Sequence, residues 1–269
     1  MIFNLSMPVL KPKGPTASLT AQSGITYTNG ISGISAEKMS LYAELISNNA
    51  SITNKTSVVY IDDGANHYRV SIGDQVTLSL NGTNYAFDVI GFNHDTLTTS
   101  TAYGTNTNTG KAGITFQMHD LFATYYPMNS SNTNSGGWKN SAMRTSTMAT
   151  MKNYMPSAWQ TVIKPVNKAS GTGGGSTSGT ETVSDSCFLL AEIEMFGSTT
   201  YSVSGEGTQY AYYKAGNSKV KNMSGSASHW YERSPRSGYP QDFCMVGKYG
   251  DASASNGTLR PGVAFGFCV

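Results

Sequence analysis

The sequence predicts an α+β protein, and three observations stand behind that class. Apolar residues alternate with polar ones over several stretches after Lys55, the period of half-buried strands. Around residues 35–48 and 138–163 the spacing changes to three and four, the period of a helix face. Of the 269 residues only 13% are charged, while 29 are Gly and 16 are Tyr, a composition of strands and turns rather than of helical bundles.

The elements follow in order. Residues 11–33, KPKGPTASLTAQSGITYTNGISG, lack large apolar side chains and are rich in turn formers, so an extended arm that needs a partner surface is expected. Ser35 stands where an N-cap belongs, and Met39, Tyr42, Leu45 and Ile46 form one stripe before Asn48 and Asn49 stop the helix. Such a helix either docks and self-associates or packs on its own domain. The period becomes two in SVVYIDD, HYRVSIGDQVTLSL and YAFDVIGF, broken by Gly64, Gly73 and the Asn81-Gly82 pair, so these are strands and hairpins. Residues 98–113 read as a polar loop before the short strand ITFQMHDLF.

After Gly136-Gly137, residues 138–154 carry Met143, Met148, Met151, Tyr154 and, just beyond, Met155 on a rough helical face, and Pro156 opens a shorter turn bearing Trp159, Val162 and Ile163. Residues 169–180, ASGTGGGSTSGT, read as a flexible surface loop, and strand signal returns at CFLLAEIEMFG. No period of 20 to 50 residues recurs, which excludes solenoids and propellers.

Charge and motif exclude several functions. The net charge of +2 is spread over 18 basic and 16 acidic residues without a basic run, so no nucleic-acid partner is expected. No stretch approaches the roughly 20 apolar residues of a bilayer span, and residues 1–10 lack a basic n-region, so neither membrane insertion nor a Sec signal is expected. Cys187, Cys244 and Cys268 are too few and too uneven for a disulfide framework or a CxxC metal site, and read as buried hydrophobes. His94-Asp95 and His119-Asp120 are the places where imidazole and carboxylate adjoin. Neighbours on a strand face opposite ways, so neither pair closes on one ion, and loop anchoring is expected rather than a metal or cofactor. No G-x-S-x-G elbow supports a triad, and Ser204-Gly205-Glu206-Gly207 lacks the Lys and Ser/Thr of a phosphate loop.

The end of the chain is the informative part. From His229 onward, short apolar pieces around Trp230, Phe243, Val246 and residues 262–269 frame stretches of mixed polar chemistry. The frame reads as strands and the infill as exposed loops, in the Tyr/Ser/Gly/Asn mixture of adaptable recognition surfaces.

Here a resemblance becomes specific. GGWKNSAMRTSTMATM, FLLAEIEMFG and the closing W-x-E-R-S-P through F-C-x-V to G-V-A-F-G-F-C-V resemble C-type lectin-like domains of the formylglycine-generating-enzyme branch. They are also similar to the variable proteins of diversity-generating retroelements, found in gut bacteria and their phages, whose C-terminal stretch is rewritten at adenines. The resemblance spans about residues 70 to 269. It implies a C-type lectin-like fold with a β-rich core, two helices and an extended N-terminal arm plus helix. Residues 1–55 would be the attachment or oligomerisation part and residues 56–269 the ligand-binding domain, variable from about residue 229 onward.

Carried over by position, the ligand-binding residues would be Tyr231, Arg236, Tyr239, Pro240, Gln241, Asp242, Met245, Gly247, Lys248, Tyr249, Asp251, Ser253, Ser255, Asn256, Thr258, Leu259 and Arg260. Trp230, Arg233, Phe243, Val246, Phe265 and Phe267 would be scaffold. Changing the adenines of an Asn codon yields most of the displayed types, but not Gln241, Met245 or Lys248. The E-P-N, Q-P-D and W-N-D calcium motifs of sugar-binding relatives are missing, so no calcium-dependent site is expected. Cys244 and Cys268 are far apart in sequence, unlike the close reactive pair of the oxidases.

The function expected from the resemblance is non-enzymatic host recognition on a phage tail tip or a bacterial surface. The partner would be a bacterial surface protein or glycan, and residues 1–50 would contact virion proteins or sister copies, a trimer being one arrangement that gains avidity. Alternatives are a structural virion protein without a specific ligand and a formylglycine-generating oxidase.

Overall fold

Alternating β-branched residues and tight turns build the first half of the molecule. The computed structural model describes residues 14–99, 103 and 110–269. β1 (Thr16–Ser18) and β2 (Thr28–Asn29) precede α1 (Ala36–Ser47), and β3 (Val58–Asp62) and β4 (His67–Ser71) follow it in a sheet of order β1-β3-β4-β2. The arm is therefore extended, but its surface is its own chain: Thr16 to Ser18 pair antiparallel with Asp62 to Tyr60, and Thr28 and Asn29 run parallel to Tyr68 and Arg69. Residues 1–13 of the expected attachment segment lie outside the described residues.

Ser35 caps α1, its side chain accepting from the Lys38 amide. Met39, Tyr42 and Ile46 are fully buried, in one apolar cluster that runs from Ala17 to Val269. Of the two readings of the stripe, packing on the chain's own core is the one found, and the apolar cluster runs without a break across residue 55. Gly113 shows how close the packing is: a Cβ there would sit 1.9 Å from the Ala43 carbonyl oxygen on α1.

β5 (Gln75–Leu80) and β6 (Thr83–Phe92) form the hairpin that Asn81-Gly82 announces, with Leu80 opposite Thr83 and φ of 48° and 84° at the two turn residues. β7 (Ile114–Met118) follows. Residues 98, 99 and 110–113 of the expected loop are described, with bridges Thr96 to Lys111 and Leu97 to Val166 at its base, whereas residues 100–102 and 104–109 lie outside the described residues.

The helical segment is broken into α2 (Gly137–Asn140), a π-helical turn (Met143–Thr147), α3 (Met148–Tyr154) and α4 (Ser157–Val162). Met143, Met148, Met151 and Met155 are all buried, as the spacing predicted. The glycine-rich stretch departs from expectation. β8 (Val166–Gly171) and β9 (Thr180–Asp185) pair along six positions, and residues 172–179 make their hairpin loop.

β10 (Cys187–Phe188) is only two residues long, and AEIEMF is a helix, α5 (Glu192–Phe196), where a strand was expected. The cause is local: the Glu194 carboxylate reaches back to the Ala191 amide and Gly197 ends the turn at φ 74°. α6 (Ala211–Lys214), β11 (Lys221–Met223) and β12 (Ser226–Ser228) lead to β13 (Trp230–Pro235), β14 (Asp242–Val246), β15 (Ala252–Asn256) and β16 (Gly266–Cys268).

β16 enters between β10 and β7 in a sheet of order β10-β16-β7-β6-β5, where Phe267 packs on Phe87, Phe116 and Trp159. β13, β14 and β15 form a separate antiparallel sheet with β15 at its edge. The class is α+β, as predicted.

Candidate functional site

The β14–β15 hairpin carries most of the predicted binding residues, and its register decides where they stand. Asp242 pairs with Asn256 at one end and Val246 with Ala252 at the other, so the loops flanking these pairs lie about 14 Å apart at ~3.4 Å per residue. Lys248, Tyr249 and Asp251 occupy the tip. Arg236, Tyr239, Pro240, Gln241, Thr258, Leu259 and Arg260 gather at the opposite end, and the half-buried Ser253, Ser255 and Asn256 join the two along β15.

Three predicted residues are not displayed. Tyr231 is fully buried, with its hydroxyl donating to the carbonyls of Asn256 and Leu259, and it fastens the loop instead of presenting a ring. Met245 is buried opposite Ser253, because β14 is covered on both faces. Gly247 is buried too, and a Cβ there would lie 2.3 Å from the exposed Asp251 carboxylate, which would have to turn aside for a larger residue. All six predicted scaffold residues, Trp230, Arg233, Phe243, Val246, Phe265 and Phe267, have no exposed surface.

The larger loop is fixed by neighbours that sequence reasoning missed. Asn134, fully buried, donates from its side chain to the carbonyls of Tyr239 and Asp242 at 2.7 and 2.6 Å, and its own amide donates to Pro240. The Gly238 amide donates to Ser176 in the glycine-rich hairpin loop, and the Ser237 amide to Tyr201. On this backbone the Arg236 guanidinium lies 3.6 Å from the centre of the Tyr239 ring and pairs with Asp242 at 3.0 Å. Beside it, Thr258 and Arg260 help wall an open recess of about 430 Å³ with Pro127, Asn129, Ser146 and Thr147.

Beneath the face runs a buried ion network. Lys168, 1% exposed, donates to Asp95 at 2.7 Å, to Glu194 at 2.8 Å and to the Tyr210 hydroxyl at 3.0 Å. Arg233 grips both oxygens of Glu194 and spends its remaining donors on the carbonyls of Ala169, Leu189 and Glu206. Burial alone would raise the acidic groups, and it is the largest influence on each. The Lys168 ammonium with the His94 imidazole nevertheless holds Asp95 well below the usual carboxylate range, and Arg233 with Lys168 holds Glu194 below it.

Glu232 is the opposite case: both its oxygens are buried without a hydrogen-bond partner, and burial, with Glu192 and Glu206 nearby, pushes it well above the usual range. The three thiols are buried and free; burial pushes Cys187 up to about 12, and drives Cys244 and Cys268 well above an ordinary thiol.

The two His-Asp pairs behave differently. His94 stacks on Tyr210 with ring centres 3.8 Å apart and keeps its Nδ1 3.6 Å from Asp95, which also accepts from Lys168. His119 pairs with Asp88 at 2.9 Å, and Asp120 accepts from Asn222. Among the described residues no group of three His, Cys, Asp or Glu side chains is placed to hold a metal ion.

Residues 112–265 match the family described as a domain of unknown function (DUF6273). The chain belongs to that family. No curated protein and no solved structure matches it. The matched span begins at the loop end before β7 and holds the helical segment, Lys168, Glu194, Arg233 and the whole β13–β15 sheet. A signal for the buried ions was present in the sequence, since Glu192, Glu194, Glu232 and Arg233 interrupt apolar text where solvent-facing charge is not expected.

Proposed function

We propose that this member of the DUF6273 family is a non-enzymatic binding protein that recognises a bacterial surface ligand through its C-terminal face, as a host-recognition protein on a phage tail tip. One observation carries the reading. Among the described residues, three of the five large apolar side chains left exposed, Tyr239 (50%), Tyr249 (80%) and Leu259 (45%), stand on the loops of the last three-stranded sheet, while the framing residues Trp230, Arg233, Phe243 and Val246 are fully buried. Large exposed side chains on a backbone fixed by Asn134 and Tyr231 combine contact area with little ordering cost on binding.

The state of the thiols supports the same reading over an oxidase, because a thiol held protonated and out of reach of solvent is a poor nucleophile. The C-type lectin-like form of the domain and diversification of residues 236–261 belong to this proposal.

The test is adsorption of particles or display of the whole chain to host cells, with Tyr239, Tyr249 and Arg260 replaced together by Ala. Adsorption is expected to fall at least about tenfold, as loss of a central aromatic anchor does elsewhere. Unchanged adsorption by a folded triple variant contradicts the reading.

A further inference from the structure

The β13–β15 sheet has two edges, and the chain itself closes one of them. On β13 the Tyr231 amide donates to the Gly262 carbonyl and the Arg233 amide to that of Leu190. β15 is the other edge.

Register tells which backbone groups of β15 are left over. In an antiparallel pair, residues that bond to the partner strand alternate with residues whose N–H and C=O point away from it. The Gly247 amide donates to the Asp251 carbonyl at one end of the hairpin and the Gly257 amide to the Gln241 carbonyl at the other, and both bonds set the same phase. Ser253 and Ser255 therefore bond to Met245 and Phe243, while Ala252 and Ala254 turn both of their backbone groups outward. Among the described residues none donates to or accepts from those outward groups. Nor is the edge blunted by side chain or bulge: Ala252–Asn256 holds no Lys or Pro, and its five pairs with β14 run without a shift.

Charge flanks this edge. Lys248 stands at the hairpin tip and Arg260 beyond the far end of β15, both exposed and neither in an ion pair among the described residues, whereas Arg236 is spent on Asp242. Against these two cations stands one exposed carboxylate, Asp251.

We propose that the ligand of the C-terminal face is a protein, and that an extended segment of it bearing acidic side chains adds to β15 as a fourth strand. The proposal rests on the C-terminal face being the binding face. An N–H and a C=O on one residue, repeated two residues on at about 7 Å, are the complement of another antiparallel strand, an order that the ring hydroxyls of a glycan do not reproduce. Main-chain bonds of this kind supply affinity whatever side chains surround them, so the loops beside the edge are free to set specificity.

The test is adsorption to host cells by particles or display of the whole chain. Ala254→Pro removes one outward N–H and sets a ring in its place without touching the β14 ladder, and Ala252→Pro does the same two residues away, so both chains should fold. Each is expected to lower adsorption about tenfold. Treating the cells with proteinase K should abolish adsorption, periodate oxidation of their glycans should leave it intact, and added salt should weaken it. If both folded proline variants adsorb undiminished while the Tyr239, Tyr249 and Arg260 triple variant does not, the strand pairing is overturned and the face reading stands; if all three adsorb undiminished, both fall. Adsorption that survives proteinase K but not periodate, or that ignores salt, also overturns the proposal. So does a dimer in ultracentrifugation that either proline abolishes, since a second copy would then be what pairs with β15.

Discussion

Arg233 and Arg236 stand three residues apart and live in opposite worlds. The first is fully buried, holding Glu194 with two nitrogens and three backbone carbonyls with the rest of its donors. The second is half-buried at the start of the display loop, stacked on an exposed tyrosine and paired with a half-exposed carboxylate. The same side chain is thus a fixed part of the frame in one place and a replaceable part of a surface in the other. What separates them is solvent: a charge removed from water requires its partners, whereas one left in water keeps most of its hydration.

The sharpest way to break that contrast is to truncate both arginines. Arg233→Ala strands Glu194 in the interior and should cost about 3–5 kcal/mol, enough to unfold much of the population, whereas Arg236→Ala should stay within about 0.5–1 kcal/mol; urea denaturation of the two chains decides it. Similar losses in both variants would dissolve the distinction. Gly113→Ala probes the frame by sterics instead of charge: the added methyl meets the Ala43 carbonyl, and prising α1 from β7 should cost about 1–3 kcal/mol, read as a lower thermal midpoint.

The pH profile sharpens the comparison inside the frame itself. Asp95 and Glu194 have lowered native values, so their stabilisation is complete above the ordinary carboxylate range and is lost as the pH falls below about 4. Glu232 has a raised native value, so the unfolded chain releases its proton first, and stability declines as the pH rises above about 4 toward the native value. Glu232→Gln should therefore raise the midpoint near neutral pH and flatten the alkaline side of the profile while leaving the acid side unchanged. A fall in midpoint at neutral pH would mean that the carboxylate is ionised and used.

Smaller effects are expected on the display side. Asn134→Ala removes the donors to Tyr239 and Asp242 and should cost about 1–2 kcal/mol, with faster amide exchange in residues 236–241 and weaker host binding. Tyr249→Ala, at a hairpin tip 80% exposed, should change stability by less than about 0.5 kcal/mol while reducing adsorption.

Much of the frame was legible in the sequence because it follows from local rules. The Ser35 cap, the Asn81-Gly82 turn, the period-two strands and the methionine face all depend on neighbours a few residues away. Longer-range causes defeated the reading elsewhere. AEIEMF looked like a strand because its carboxylates interrupt an apolar run, yet those carboxylates are bound by Arg233, Lys168 and the amides of residues 201 and 202. The glycine-rich stretch looked free because nothing near it in sequence shows that Gly171 donates to Glu206 or that Gly174 donates to Asn134. On the proposed binding face most loop residues expected at the surface are exposed, but Tyr231, Met245 and Gly247 are buried, since a tyrosine anchoring a loop has the same composition signature as one offered to a ligand.

The most direct test is to sequence this gene across the population it comes from. The proposed diversified binding face predicts substitutions concentrated at adenines between codons 236 and 261, at exposed positions such as Tyr239, Tyr249 and Arg260. Tyr231, Arg233 and Phe243 would then stay unchanged. Constancy throughout that span, or substitutions falling equally on Arg233 and Arg236, would contradict it.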